Sequence, residues 1–482
     1  MFEILSHQYL KKFVNSHEID WVHIYSFGRI MASSLKNKRN LLVNSEIFNI
    51  DEWWAGLLIP LFLYEKDSIC IISAEKIKFL KKNKLPELTK LGFQFDFANN
   101  TIIFSNHQIH LLTFDQLILR YQKQVFQEKH IVFTEVDKIQ EDLKKVFRIS
   151  LYKKDWSVNR DSSMGSFDES INLYNLLKKN LFLRSVNNNN NLLFENSEIN
   201  LLKCFFIKNF SMSEKFLKVK NALTSQWACW AQLDYKNFEW IFNVEPIDKF
   251  YEIRELLSKN FLICLSSLRK DNYINNYFNY HDIKIDLQIN FKSNFDEKKI
   301  LIYAPPRQLL PNHPFFQRSV IEKCSKLLFY QKGWTLILTN SNFIKKNIAT
   351  ELASLHGKRV LLESLPKENN QIICASFDWW INHAHRSILP AQIIIPIIPI
   401  PDMADPLNQL TVSYNKKKLK DWFRDFLLTE ALITLERTVA PLRRNAGYLV
   451  ILDGRISKRQ WGKKILEFIE PSKAINYLFP FD

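Results

Sequence analysis

Short apolar runs rich in Ile, Leu, Val and Phe alternate along the chain with amphipathic stretches of helical period, a pattern that predicts α/β layers built on parallel sheets. The runs fall into two groups. The first holds 69–73, 101–104 and 130–133; the second holds 261–264, 300–303, 334–338, 371–375, 392–395 and 448–452. Two α/β domains are therefore expected, over residues 1–154 and 240–482. Between them, 155–239 opens on a Ser-, Asp- and Gly-rich stretch (155–170) and carries five consecutive asparagines (187–191), which predicts a helical insert with a loose loop. Within the insert, Phe216, Val219, Leu223, Trp227 and Trp230 recur at three- and four-residue spacing and predict one core-facing helix stripe.

With 482 residues and 46% apolar content the chain can bury large cores. Lys plus Arg outnumber Asp plus Glu by 66 to 50, which favours a polyanionic partner such as nucleic acid over an acidic small molecule. A Lys-rich solvated surface accounts for the same numbers. Basic residues are densest towards the end: Lys416, Lys417, Lys418, Lys420, Arg443, Arg444, Lys458, Arg459, Lys463 and Lys464. The longest strongly apolar runs, 53–64 and 393–400, fall short of the ~20 residues that span a bilayer, so no membrane partner is expected. Residues 1–13 carry Glu3 and His7 and no small-residue cleavage site, and the six scattered cysteines read as reduced core thiols; both point to a cytoplasmic location. Glycine is scarce, 9 residues or about 2% of the chain against the usual ~7%, and this alone erodes Gly-rich loops.

The most specific pattern lies in the last quarter. Trp422-Phe423 is followed by LLTEALITLERTVAPLRR over 427–444, by YLVILDGRI over 448–456 with Asp453 and Arg455, and by Trp461-Gly462. Upstream lie VEPID (244–248), FLICLSSL (261–268), APPRQLLPNHPFFQ (304–317), TLILTNSNF (335–343) and IIPIPDMADP (397–406). In order and spacing, 227–471 resembles the second motor domain of the Rad3/XPD-like (DinG-type) superfamily 2 DNA helicases, which ends on W-F, L-P-E-A, Q-x-x-G-R-x-x-R, V-x-L-D-x-R and Y-G. The resemblance implies two RecA-like parallel-sheet motor domains with a helical insert. It also implies ATP and Mg²⁺ as cofactors, single-stranded DNA as partner, and work in DNA repair.

Several motif letters depart from that family. The arginine pair of Q-x-x-G-R-x-x-R stabilises charge on the γ-phosphate during transfer. Here Arg437 stands at the Gln position, Pro441 at the first Arg, and Arg444 alone survives of the pair. The F-W-E-G-V-D segment reads Phe377-Asp378-Trp379-Trp380-Ile381-Asn382, without its acid and glycine. A P-loop needs glycines whose N–H groups wrap phosphate, a Lys for the β/γ oxygens and a Ser/Thr for Mg²⁺. The corresponding slot, 44–56, reads NSEIFNIDEWWAG, with no Gly before Gly56 and no Lys. The family's Asp-Glu-Ala-His box aligns with IVFTEVDKI (131–139): Glu135 matches the water-activating Glu, while Thr134 and Asp137 replace the Mg²⁺-organising Asp and the His.

An iron–sulfur cluster, which several members hold with four cysteines of the first motor domain, is not expected, since Cys70 is the lone cysteine of 1–154. His383 and His385 have no partner ligands at metal spacing and predict no metal site. The residues thus predict a helicase-like nucleic-acid-binding pseudoenzyme with impaired ATP hydrolysis. Glu135 and Arg444 are its catalytic remnants, and Lys416, Lys417, Lys418, Arg443, Lys458 and Arg459 its phosphate contacts. Two alternatives stand beside it: an active ATP-dependent DNA helicase with a nucleotide site of other make-up, and a protein-interaction scaffold without DNA binding.

Overall fold

Strand pairing sorts the chain into three sheets. The computed structural model describes residues 2–476 except 18, 20, 50–52, 124–126, 158–163, 185–189, 209–212, 224–225, 270–272, 292–298, 331–332, 385–387 and 446. The first sheet has eight strands in the order Leu287–Asn290, Leu41–Asn44, Phe261–Ser266, His130–Phe133, Ser68–Ile71, Gln108–Leu112, Thr101–Ile103, Asp96–Ala98. The first six run parallel, and the last two close one edge as antiparallel strands. Successive side chains of a strand point to opposite faces, so each central strand feeds two cores. Leu41, Val43, Cys70, Val132 and Ile263 pack under the helices Phe2–Ser16, Ile24–Asn37 and Trp54–Leu63. Leu42, Ile69, Ile131, Phe133 and Cys264 pack under Phe114–Lys123, Ile139–Phe147 and Tyr273–Tyr280.

The second large sheet has seven parallel strands in the order Val360–Leu362, Ile372–Ala375, Thr335–Leu338, Gln392–Ile395, Tyr448–Ile451, Ile300–Tyr303, Ser472–Ile475. Helices Phe377–His383 and Thr429–Asn445 cover one face, and Phe316–Tyr330 and Asn342–His356 the other. Two sandwiches of a parallel sheet between helices confirm the expected α/β class with two RecA-like domains.

Two expectations change. The strand Phe261–Ser266 was expected in the second sheet, yet it sits at the centre of the first, with Ile263 opposite both Leu41 and Val132. The first sheet therefore draws on 41–133 and 261–290, and the second begins at Ile300, so the boundary expected at 240 does not match sheet membership. A second cysteine, Cys264, accordingly joins Cys70 in the first sheet, both buried. The insert, too, is not purely helical. It holds a four-stranded antiparallel sheet, Ile149–Leu151, Glu239–Pro246, Trp227–Asp234 and Asn191–Leu193, beside the helices Met164–Phe182, Asn196–Lys208 and Glu214–Ala222. Phe216 and Val219 do form a buried helix face, but the helix stops at Ala222, and Trp227 and Trp230 lie on a strand. Three residues apart on a strand, these rings take opposite faces: Trp227 packs on the insert core and Trp230 lies beneath the Arg148 guanidinium, 5.2 Å from its centroid. Of the expected loose loop, 187–189 lie outside the described residues. Among the described residues no helix is long and apolar enough to cross a membrane.

Close approaches constrain two glycines. A Cβ on Gly56 meets Phe27 Cδ1 at 2.6 Å, where two helices of the first domain cross, and a Cβ on Gly454 meets the backbone oxygens of Gln308 and Leu309 at 2.5 and 2.7 Å. Gly56→Ala is expected to lower stability by about 1–3 kcal/mol through overpacking, and Gly454→Ala by at least as much because backbone yields less than a ring. Urea denaturation of both variants measures this; a neutral Gly454→Ala would contradict the close approach.

Candidate functional site

Residues that follow the carboxyl ends of the first sheet's parallel strands meet the helix Thr429–Asn445 of the second domain across a cleft. In open parallel sheets, ligands lie at the carboxyl ends of the strands. Here the cleft is bridged by two ion clusters, each centred on an arginine of that helix.

The first cluster forms around Arg443, whose side chain is 2% exposed. Its Nη1 donates to Glu46 Oε1, its Nη1 and Nη2 donate to the two Glu436 oxygens at 3.0 and 2.8 Å, and Nη2 also donates to the Ile469 carbonyl at 3.2 Å. Arg269 Nε lies 3.6 Å from the same Glu46 oxygen. Two arginines thus face two carboxylates in a buried, balanced group. Burial pushes the Glu46 carboxyl up, Arg443 pulls it down, and the neighbouring Glu436 adds to the rise. Glu46 belongs to the short helix Glu46–Asn49 that follows the strand Leu41–Asn44, inside the slot where a P-loop is sought. Further along that slot, the helix Trp54–Leu63 begins behind Trp53 and Trp54, both fully buried and stacked at 4.0 Å, with Phe48 edge-on to Trp53 at 5.0 Å. With its aromatic rings turned into the core and no lysine in it, the described part of this slot does not fit a Mg²⁺-triphosphate.

The second cluster forms around Arg437, also buried. Nη1 donates to Glu141 Oε1 at 3.1 Å and Nε lies 3.4 Å from Asp137 Oδ2. Asp137 in turn accepts from the Ser267 hydroxyl at 2.9 Å and backbone N–H at 3.3 Å. The acidic box therefore connects both to the strand end at Ser267 and to the opposite domain. Thr134, standing for the Mg²⁺-organising Asp, donates its hydroxyl to the Ile71 carbonyl at 2.9 Å. Glu135 is paired with Lys138 and, at 3.5 Å, with Lys76. Burial would raise its pKa, but Lys76, Lys138 and Arg437 together outweigh it and hold the carboxyl at about 2. A carboxylate so acidic is a poor proton acceptor near neutral pH.

Beside Glu135 lies a cavity of about 320 Å³ lined by Ser73, Thr113, Glu135, Asp142, Lys145 and, from the second domain, Asn382. Burial raises the Asp142 carboxyl to about 6, opposed by Lys145 and assisted by Glu141 and Glu135.

The other predicted site residues are spread apart. Arg444 is half-buried on the same helix; burial pulls its pKa down while Glu46 raises it. Arg443, expected as a phosphate contact, is instead the centre of the buried cluster, and its neighbours' carboxylates already neutralise it. Lys416, Lys417 and Lys418, at the end of the helix Pro406–Lys417, are exposed, as are Lys458 and Arg459 beyond the strand Tyr448–Ile451. Asp453 and Arg455, by contrast, do structural work: buried Asp453 accepts from Ile398 N–H at 3.0 Å and from Arg455 at 2.7 Å. His385 lies outside the described residues; His383 bonds the Trp379 carbonyl at 2.7 Å. Among the described residues no group of three His, Cys, Asp or Glu is placed to hold a metal ion. Sequence reasoning missed Glu46, Glu436 and Arg269. A signal existed, since Glu436 and Arg443 are seven residues apart on one helix and so share a face.

Removing one member of a buried ion pair leaves an uncompensated charge. Arg443→Met is expected to cost about 3–5 kcal/mol in chemical denaturation, and the double variant Glu436→Gln, Arg443→Met, which leaves Glu46 with Arg269, to recover most of it. A single variant within 1 kcal/mol of the parent would show that the cluster does not hold the domains. Asp142 carries the opposite sign. With its folded pKa raised to about 6 from 3.8, its contribution is fully present below pH 3.8 and lost as pH rises through 6. Asp142→Asn should therefore raise stability at pH 7.5 by about 1 kcal/mol after allowance for solvent screening, and do nothing at pH 4; equal melting temperatures at pH 7.5 would refute this.

No family profile matches the chain. Two curated proteins are similar in sequence: the ATP-dependent DNA helicase YoaA of Escherichia coli, 23% identical over 239 residues, and that of Haemophilus influenzae, 27% identical over 131 residues. The matched stretches take up 47% and 27% of this chain and only 38% and 20% of those relatives' lengths. Among solved structures, an apo XPD superposes over 93% of this chain and 99% of its own, with a TM-score of 0.62 at 14% identity. That likeness establishes the shared fold. The chain thus shares the two-domain fold of XPD and is similar in sequence, over part of its length, to DinG-like DNA helicases.

Proposed function

We propose that the chain is a helicase-like nucleic-acid-binding protein whose ATP hydrolysis is impaired and whose two RecA-type domains are held in one arrangement by internal ion pairs. The observation that carries this reading is the Arg443 cluster: the carboxylate of Glu46 meets an arginine of the opposite domain inside the slot where a triphosphate would lie. A motor of this kind opens and closes its cleft as the nucleotide's charge arrives and leaves. A carboxylate fixed to the backbone does not leave. Trp53 and Trp54 at the helix start, and Glu135 held at about 2, support the same reading. The basic excess of the chain and the exposed Lys416, Lys417, Lys418, Lys458 and Arg459 support a polyanionic partner, with single-stranded DNA and DNA repair as the setting that the Rad3/XPD-like resemblance implies.

Nucleotide and single-strand binding measured side by side test both halves. Calorimetric titration with ATP and Mg²⁺ is expected to show no binding, and Glu135→Gln to change DNA-stimulated phosphate release by less than about twofold, since a base held at so low a pKa contributes little. Robust phosphate release abolished by that substitution would restore the active-helicase alternative. Single-strand affinity should fall with salt at a slope near −0.7 per phosphate contacted, and reversing Lys416, Lys417 and Lys418 together should weaken binding to all sequences alike. Absence of binding at low salt would leave the scaffold alternative.

A further inference from the structure

The helix Pro406–Lys417 stops in a turn whose tip is an anomaly. Lys418 N–H donates to the Tyr414 carbonyl at 3.2 Å, Leu419 N–H to Lys416 at 3.0 Å and Lys420 N–H to Asn415 at 3.1 Å, which places Leu419 at the left-handed position after the helix, with φ 55°. Glycine is usual there because a Cβ is penalised. Among the described residues ten non-glycines have positive φ; eight are polar, and the apolar two are Phe238 and Leu419. Phe238 stacks on Phe182 at 5.7 Å. Leu419 is 95% exposed, more than any other large apolar side chain described.

Its surroundings are mainly basic. Lys416, Lys417 and Lys418 are exposed beside it and Lys420 follows it, with Asp421 next in the chain and Asp248 and Asp425 acting on Lys420. Lys416 Nζ sits 5.2 Å from the Trp422 ring centroid and Lys418 Nζ 4.2 Å from that of Tyr414, so cation–π contacts settle two of these lysines along the tip rather than leaving them to wander. A bulky apolar side chain is thus carried outward, in a disfavoured backbone conformation, beside three exposed lysines.

We propose that this tip is a nucleic-acid wedge: the lysines grip phosphates and Leu419 enters the base stack, parting a base step where paired and unpaired strands meet. The proposal rests on the reading above that the chain binds nucleic acid, and adds to it the preferred form, a junction. One apolar side chain suffices to unstack one step. An anionic membrane is the rival partner, but a single leucine offers it little apolar area, and stable anchoring takes more.

The test uses the full chain and a forked DNA carrying 2-aminopurine at the junction, with anisotropy on the same DNA to establish saturation. At saturating protein the fluorescence should rise by at least about twofold as the base unstacks. Leu419→Gly and Leu419→Asn should both return the signal to that of DNA alone. Glycine and asparagine both accept the left-handed backbone, so equal melting temperatures will show that the fold is kept. A saturated wild-type complex without the rise, or variants that retain it, overturns the wedge while leaving nucleic-acid binding in place. No anisotropy change with any oligonucleotide overturns the binding reading and the wedge with it. Co-sedimentation with phosphatidylserine-containing vesicles that Leu419→Gly abolishes would assign the tip to lipid instead.

Discussion

A buried arginine shared by two carboxylates from opposite domains is the constraint on which the arrangement of this molecule depends. Each RecA-like half builds its own hydrophobic cores on the two faces of its sheet, and Ile433 of the second half also packs against a core of the first. Charge adds to that apolar contact. Arg443, already paired with Glu436 on its own helix, gains a second carboxylate from Glu46 of the first domain, and Arg437 pairs with Asp137 and Glu141 of that domain. Buried pairs of this kind add little net stability over a well-packed apolar contact, because desolvation offsets most of the attraction. Breaking one is another matter, since a lone charge is then left inside. The clusters therefore act as registration, penalising every relative placement of the domains but one.

The insert reinforces the same placement from outside the cleft. Asn191, on the edge strand of its antiparallel sheet, donates to Asp405 at 3.3 Å, and Asp405 caps the helix Pro406–Lys417 that ends in the basic tip. Lys144 of the first domain reaches Glu430 of the second at 3.4 Å, and Glu430 pulls the Lys144 pKa up against burial. Contacts from the insert and from the first domain thus converge on the helix 429–445 and on the N-terminus of the helix 406–417.

Much of this was legible in the residues, for identifiable reasons. Strand existence followed from apolar runs bounded by polar turns, and the order of motif-like segments carried the two-domain class. Sheet membership did not, because local pattern says that 261–266 is a strand but not that it returns across the insert to lie between 41–44 and 130–133. The stripe through Trp227 and Trp230 failed because a strand buried on both faces shows no clean alternation, and its tryptophans happen to continue a helical spacing. Arg443 was misread for a different reason. Composition counts a charge without its partners, and Glu46 lies 397 residues away in sequence.

The departures at the motif positions are also more orderly than loss by drift alone suggests. The Gln position became Arg437, the His of the acidic box became Asp137, and the two now pair with each other across the cleft. The slot matched to the P-loop holds Glu46 and two stacked tryptophans, and the helix Thr429–Asn445 supplies Arg443 with Glu436 two helical turns away. In each case a pair of groups that would act on a passing ligand is replaced by groups that satisfy one another. Such mutual satisfaction is what a static platform needs and what a cycling motor must avoid, because a motor's cleft charges have to remain unsatisfied until the nucleotide arrives. On the proposed reading the arginines and carboxylates of the cleft are paired with one another, a cavity of about 320 Å³ remains beside Glu135, and the exposed lysines at 416–418 are left to meet a partner.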